Sequence, residues 1–390
     1  GFNAPWVDML KIKASIGSQG NDNIGSYRYT DTYYIQNADG EVSVVFNTKG
    51  NKKVTWETNT NFNAGADFEF FNNRLSGSVE YFYRKTSDML YWVTVPSSQG
   101  YSGYYGNVGD MRNSGVEFAI NATAIRSHNV NWDIYLNATN YSNKIIRLPE
   151  ANKKKTVEGH SGYATGNKFV GEGLSLNTFL MPKYAGVEPT TGLSMWYKDV
   201  TDEATGKVTR ETTTKYSEAT DYLCSVPTPI LYGGFGTSIS FWNFDLSVDF
   251  TYSIGGKAYD SGYASLMNVP GSSVGYNIHK DVLKGWTPEN TNTDIPRFQA
   301  NDQNVVSMSD RFLTNASYLN FQRAQFGYNL PKSLLSKVKI NSVRFYVTAD
   351  NICYWSVRKG FDPRYSFTGA TSDAVCSPVR TVSGGVTITF

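Results

Sequence analysis

Residues Phe244–Ile254 read FDLSVDFTYSI, and their period of two decides the fold class. Phe244, Leu246, Val248, Phe250, Tyr252 and Ile254 fall on one face, and Asp245, Ser247, Asp249, Thr251 and Ser253 on the other. A helix would scatter the two carboxylates around its circumference, whereas a strand collects them on one side. The end of the chain repeats the pattern, with Val382, Gly384, Val386, Ile388 and Phe390 opposing Thr381, Ser383, Gly385, Thr387 and Thr389. Similar alternation marks Leu10–Ile16, Phe62–Phe70, Leu75–Tyr83, Val116–Ala122, Trp132–Ala138 and Val343–Ala349. Weaker segments lie near 173–186, 193–200, 230–241 and 312–328, for about twelve predicted strands in all. No stretch carries a useful helical period, so the chain reads as all-β.

Composition narrows the class. Aromatic residues make up 15% of the 390 and charged residues only 18%. So much Tyr and Phe in a polar chain suits a barrel wall, apolar on one side and polar on the other. No run of about eighteen apolar residues occurs, which excludes a transmembrane helix but not a spanning strand of about ten residues. The formal charge of +2 comes from 36 basic and 34 acidic residues dispersed along the chain. Nothing forms a basic patch, so no nucleic-acid partner is expected. Cys224, Cys353 and Cys376 are too few and too far apart for a zinc cluster or a disulfide framework. Cys353 and Cys376 end one predicted loop, and both a pair and isolated thiols stay open there.

The connections carry the stronger argument. Long ones near 19–54, 95–110, 146–172, 201–229, 257–311 and 352–379 alternate with short ones. The short ones fall at Asn72-Asn73, Ser127–Val130, Pro189–Gly192, Trp242-Asn243 and Pro331–Lys337. Up-and-down barrels of the outer membrane have this asymmetry, with tight periplasmic turns and long extracellular loops. A sandwich does not sort loop length by parity, and a propeller would repeat about every 40 residues. Trp6, Trp56, Trp92, Trp132, Tyr81, Tyr83 and Tyr91 are candidate girdle residues at the lipid–water boundaries. Export is required, yet the chain begins at Gly1 without a leader, so a longer precursor is expected.

Candidate chemistry is sparse. His128, His160 and His279 sit in no metal or catalytic motif; the first falls in a short periplasmic turn and the others in long, solvated loops. Gly100, Gly103, Gly106 and Gly109 precede a strand rather than the helix a phosphate loop needs. Asp245 and Asp249 share the polar face, where a lumen wall would set them against water. Asn121, Asn137, Asn140 and Asn315 begin Asn-x-Ser/Thr triplets, read as lumenal or loop polar residues. No catalytic residue, cofactor or metal is expected, and no enzyme. The loop residues that stand out are aromatic: Tyr101, Tyr104 and Tyr105 in one loop, Tyr263, Tyr276 and Trp286 in another, Tyr365 and Phe367 in the last. Amphipathic rings stack on sugar or peptide faces and hydrogen-bond at their tips; the competing reading has them hold loops together or meet a lid. Phe390 extends the apolar face of the last strand and reads as a barrel-assembly signal.

Several strings resemble the SusC/RagA-like TonB-dependent outer-membrane transporters of the Bacteroidetes. Asn107 to Glu117, NVGDMRNSGVE, is similar to a segment of that family. So are Arg311-Phe312-Leu313 with Asn315-Ala316-Ser317-Tyr318-Leu319, Gly327-Tyr328 and Leu330-Pro331, and Asp350-Asn351 with Gly360-Phe361-Asp362-Pro363. Arg84 to Leu90, RKTSDML, and Gly255-Gly256-Lys257 match as well, so the resemblance runs from about residue 10 to the end.

The resemblance implies that residues 1–390 are the C-terminal portion of a TonB-dependent receptor barrel. That barrel is expected to have 22 strands, with the plug domain and N-terminal strands absent here. It implies nutrient import of oligosaccharides or peptides, captured at the extracellular mouth with a SusD-like surface lipoprotein and driven inward by TonB. The partners it implies are that lipoprotein, the TonB complex, the remaining barrel and plug segment, outer-membrane lipid, and a glycan or peptide ligand. A passive porin or translocator barrel without energy coupling is the alternative. A secreted carbohydrate-active enzyme would need a converging carboxylate pair.

Overall fold

The computed structural model describes residues 4–38, 40–268, 277–336, 340–365, 367–370 and 376–390. Ten strands form one antiparallel sheet. They are β1 (Val7–Asn21), β2 (Glu57–Phe70), β3 (Leu75–Ser87), β4 (Asp110–Arg126), β5 (Val130–Arg147), β6 (Leu231–Phe241), β7 (Phe244–Ile254), β8 (Tyr318–Asn329), β9 (Ser342–Trp355) and β10 (Thr381–Thr389). Each pairs with its neighbours in chain order, a pure meander. The β6–β7 register runs without a break from Leu231 opposite Ile254 to Phe241 opposite Phe244. Aligned bulges between Asp249 and Phe250 and between Phe321 and Arg323 shift the pairing on either side of β8.

The registers sort side chains into two faces. Asp245 and Asp249 stand in cross-strand rows with Gly327 and Ser240, and with Arg323 and Gly236. Asn59, Asn61, Asn63 and Asp67 share that polar side through Thr86, Arg84, Phe82 and Ser78. On the other side the rings of Phe235, Phe250 and Phe321 stack, with centroids 5.0 and 4.7 Å apart, and Phe244 lies 5.7 Å from Phe326. Two glycines on the polar face admit rings from the adjacent strand. A Cβ on Gly236 would lie 2.6 Å from Tyr135, and one on Gly115 would lie 2.7 Å from Phe82.

Among the described residues the wall has no second layer behind it. Of the largest buried apolar side chains, Phe169, Phe179, Met181, Trp196, Tyr222, Met267 and Phe312 lie in connections, and Ile145 lies near the loop end of β5. The wall's own apolar side chains, such as Val79, Leu136, Phe235 and Val347, remain exposed on its outer face. A soluble sheet would have to cover that face; hydrocarbon covers it instead.

Tight turns line one end. Phe71, Asn72 and Asn73 all have positive φ, between 56° and 60°, tolerable for Asn because its short amide bonds locally. Adjacent turns are laced together: Arg126 donates to the carbonyls of Asn72 and Asn73, Trp242 N to Asn129 O, and Asn329 N to Asn243 O. Phe390 follows β10 and is 89% exposed. Cys224 and Cys353 are free thiols, so Cys353 forms no disulfide.

Two predicted wall strands are corrected. Residues 173–186 and 193–200 do not join the ten-stranded sheet, which leaves it ten strands instead of about twelve. Thr178–Pro182 is buried at all five positions and pairs with Asp221–Leu223, while Ser194–Thr201 pairs with Val208–Thr213. Pro189–Gly192 is therefore a turn inside one long excursion between β5 and β6, not a periplasmic turn. The parity of the wall survives because long, short and long merge into a single long connection.

A cation on the lipid face should cost far more than one on the lumen face. Val248→Arg, halfway along β7, should lower unfolding free energy by about 2–4 kcal/mol. Ser247→Arg, one residue away on the polar face, should cost well under half of that. Denaturant titration in lipid vesicles measures both, and equal costs would refute the assignment of faces.

Candidate functional site

The end opposite the tight turns carries five excursions, over residues 22–56, 88–109, 148–230, 255–317 and 356–380. They fold on their own small cores. Val157, Phe169 and Leu180 form one, with Leu174 and Leu223 against it. Ala264, Met267, Val282 and Phe312 form another. Ile145, Leu148 and Val170 seal the junction of β5 with its loop.

The aromatics singled out in the sequence divide between these cores and the surface. Tyr105 is edge-on to Trp92 at 5.2 Å across the hairpin Leu90–Thr94/Gly103–Asn107, and the Arg28 guanidinium lies 5.2 Å from its ring. Tyr101 meets Phe46 at 6.3 Å and Tyr104 lies opposite Val93, so this cluster ties that hairpin to Thr32–Ala38/Glu41–Thr48. Tyr263 opens the helix Ser261–Leu266, whose N-cap Asp260 accepts its backbone N–H at 3.0 Å. Its ring meets Phe312 at 6.2 Å and His279 edge-on at 4.8 Å, and its hydroxyl donates to Asp281 at 3.1 Å. Burial, then the Asp281 carboxylate, pushes that phenol up to about 12.

Trp286 packs elsewhere: its indole N–H donates to Pro189 O at 3.0 Å and its ring covers Gly192. Tyr365 ends the short turn Pro363–Tyr365, and Phe367 stands 71% exposed. Tyr276 lies outside the described residues. Two histidines depart from the solvated reading. His160 Nδ1 is 2.7 Å from Glu172 O, and His279 accepts from Asp281 N at 3.1 Å.

Buried polar contacts, illegible in the sequence, hold the loops to the wall and to one another. Arg364 donates to Asp362 through Nε at 2.8 Å and Nη2 at 2.6 Å, reaches Asn320 on β8 at 2.9 Å, and lies over Tyr354 on β9. Burial raises the Asp362 carboxyl, but hydrogen bonds led by Arg364 outweigh it and the group stays below its usual range. Arg358 pairs with Asp260 and lies 4.4 Å from the Tyr263 ring. Lys168 reaches the carbonyls of Asn177 and Thr368, joining two excursions, and burial pulls its amine down to about 8.

On the lumen face, Asp245 is clamped by Arg344, while Asp249 accepts the Tyr135 hydroxyl at 2.7 Å. Each carboxylate is engaged separately, and the two form no acid–base pair. Higher up, Asn61, Glu80, Phe82, Arg84, Asn113, Glu117 and Tyr141 line a recess of about 390 Å³. The amides and the Tyr141 hydroxyl there both donate and accept, beside two carboxylates and a guanidinium.

Comparison with known proteins agrees with this architecture. The family described as TonB dependent receptor-like, beta-barrel matches residues 2–352. TonB-dependent receptor P3 of Formosa agariphila is 29% identical over 93% of this chain and 36% of its own length. TonB-dependent receptor SusC of Bacteroides thetaiotaomicron is 27% identical over 91% of this chain and 35% of its own. Among solved structures, that of the RagAB peptide transporter superposes with a TM-score of 0.83 at 28% identity, covering 100% of this chain and 42% of that one. The chain thus spans little more than a third of the curated relatives it matches.

Removing one partner of a buried pair strands the other. Asp362→Ala should cost about 3–5 kcal/mol and release residues 356–365 from β8 and β9; amide exchange confined to baseline there would refute this. A second test uses pH. Glu172 is held below its ordinary 4.5 by the Leu148 N–H first, against burial, and then by Lys153. Because its folded value is depressed, its stabilisation is present above 4.5 and lost as pH falls through the folded value. Protection of amides over 148–173, corrected for the intrinsic exchange rate, should therefore hold above pH 4.5 and fall below it, and Glu172→Gln should flatten that fall.

Proposed function

This chain belongs to the TonB-dependent receptor-like β-barrel family and resides in the outer membrane, and from that premise we propose that it forms the wall and mouth of an importer of oligosaccharides or peptides. Ligand is captured at the loop-bearing end with a SusD-like lipoprotein and driven inward by TonB. The observation that carries this reading is the likeness of the entire chain, loops included, to the RagAB peptide transporter. That likeness supports the peptide arm in particular.

The sheet begins at β1 and ends at β10, each pairing on one side only. Open edges do not persist in hydrocarbon, where every backbone group needs a partner. The remaining barrel strands close those edges, and a plug segment fills the polar lumen. Tyr101, Tyr104, Tyr105, Tyr263, Tyr276, Trp286, Tyr365 and Phe367 are the residues assigned to ligand or lid. Phe367 makes contact directly, while Tyr101, Tyr263 and Trp286 act by holding the loops in shape.

Uptake of labelled oligopeptides and oligosaccharides by cells carrying the intact protein tests the proposal. Uptake should stop when TonB is deleted, and Phe367→Ala should weaken capture without changing barrel stability. Uptake that persists without TonB would instead indicate a passive pore.

A further inference from the structure

The outer face of β3, β4 and β5 changes character along its length. Its lower rows are apolar: Gly77, Ile120 and Leu136, then Val79, Phe118 and Ala138. Tyr81 and Tyr83 follow, the latter in a row with Ser114 and Ser142. The next row is Lys85, Arg112 and Lys144, three cations directly opposite one another on adjacent strands.

This row sits at a defined depth. A tilted strand crosses the hydrocarbon in about 9–11 residues. Counted from Leu75, just after the tight turn, that distance ends at Lys85. The cations therefore lie at the outer boundary of the apolar band, above Tyr81 and Tyr83.

Directly opposed like charges destabilise a sheet, and the structure offers little to offset them. Lys85 is 3.9 Å from Asp110, but Asp110 already takes Arg147 at 3.0 Å, and Arg147 also holds Asp88. On the overlying loop Glu172 is engaged by Leu148 N and Lys153. Among the described residues Arg112 and Lys144 form no ion pair, and both are exposed. Strands stand about 4.8 Å apart, so the three cations span about 10 Å, the width of a phosphorylated head group.

We infer that Lys85, Arg112 and Lys144 form a binding site for the phosphate of an anionic lipid in the outer leaflet, with Ser114 and Ser142 donating to its oxygens from below. The acyl chains lie along the apolar rows of β3–β5. The site is independent of cargo and of energy coupling, so its failure would leave the import reading untouched.

The test is native mass spectrometry of the intact protein in detergent, titrated with phosphatidylglycerol, phosphatidylcholine or inorganic phosphate. Wild-type protein should retain phosphatidylglycerol over phosphatidylcholine by about tenfold or more. Arg112→Gln with Lys144→Gln should abolish the preference. The charge-preserving pair Arg112→Lys with Lys144→Arg should keep it, which separates charge from fold. Unchanged preference in the glutamine variant would overturn the proposal. So would loss in the charge-preserving variant, or full displacement of lipid by inorganic phosphate.

Discussion

The structure depends on one constraint: within hydrocarbon no water is available to a backbone N–H or carbonyl. A single-layer meander answers it by pairing every wall strand with its neighbours in chain order. Side chains are then free to serve two different solvents. The period of two assigns Phe235, Phe250 and Phe321 to lipid and Asp245, Asp249 and Asn61 to the lumen. One register error in any strand would exchange those assignments, which is why the long uninterrupted pairings matter more than any single side-chain contact.

Freed from the need for an inner core, the chain invests its buried apolar residues in the loops. Trp196, Phe179 and Phe312 are fully buried there, and the excursions behave as small domains strung on the wall. Buried polar contacts then fasten loop to strand, Arg364 to Asn320, and loop to loop, Arg358 to Asp260 and Lys168 to Thr368. Such links hold geometry more than they add stability, since each buried charge has given up its water.

Much of this was legible from the residues. The alternation at 244–254 and 381–389 located wall strands, and 230–241 matched β6 almost to the residue. Asn72-Asn73 marked a real turn because αL geometry favours Asn, and Trp242-Asn243 marked another, although there it is Trp242 that takes positive φ. The failures share one cause. Thr178–Pro182 and Ser194–Thr201 alternate or run apolar as wall strands do, but their apolar side chains face a loop core. A pattern records that a face is apolar without saying what covers it. The loop aromatics behaved likewise: composition could not separate Tyr263, enclosed by Phe312 and His279, from the exposed Phe367.

The sequence by itself determined the all-β class, the two-faced wall and the side on which long loops gather, because those follow from local period and turn chemistry. Only the tertiary structure decided which strands enter the wall, which aromatics are spent on packing, and which charges meet. Asp362 finds Arg364 two residues away, yet Arg364 is also pinned by Asn320, 44 residues distant in the chain. Lys85, Arg112 and Lys144 become neighbours solely through strand register. Contacts between distant segments are set by register and loop packing, and neither is written in any local stretch of residues.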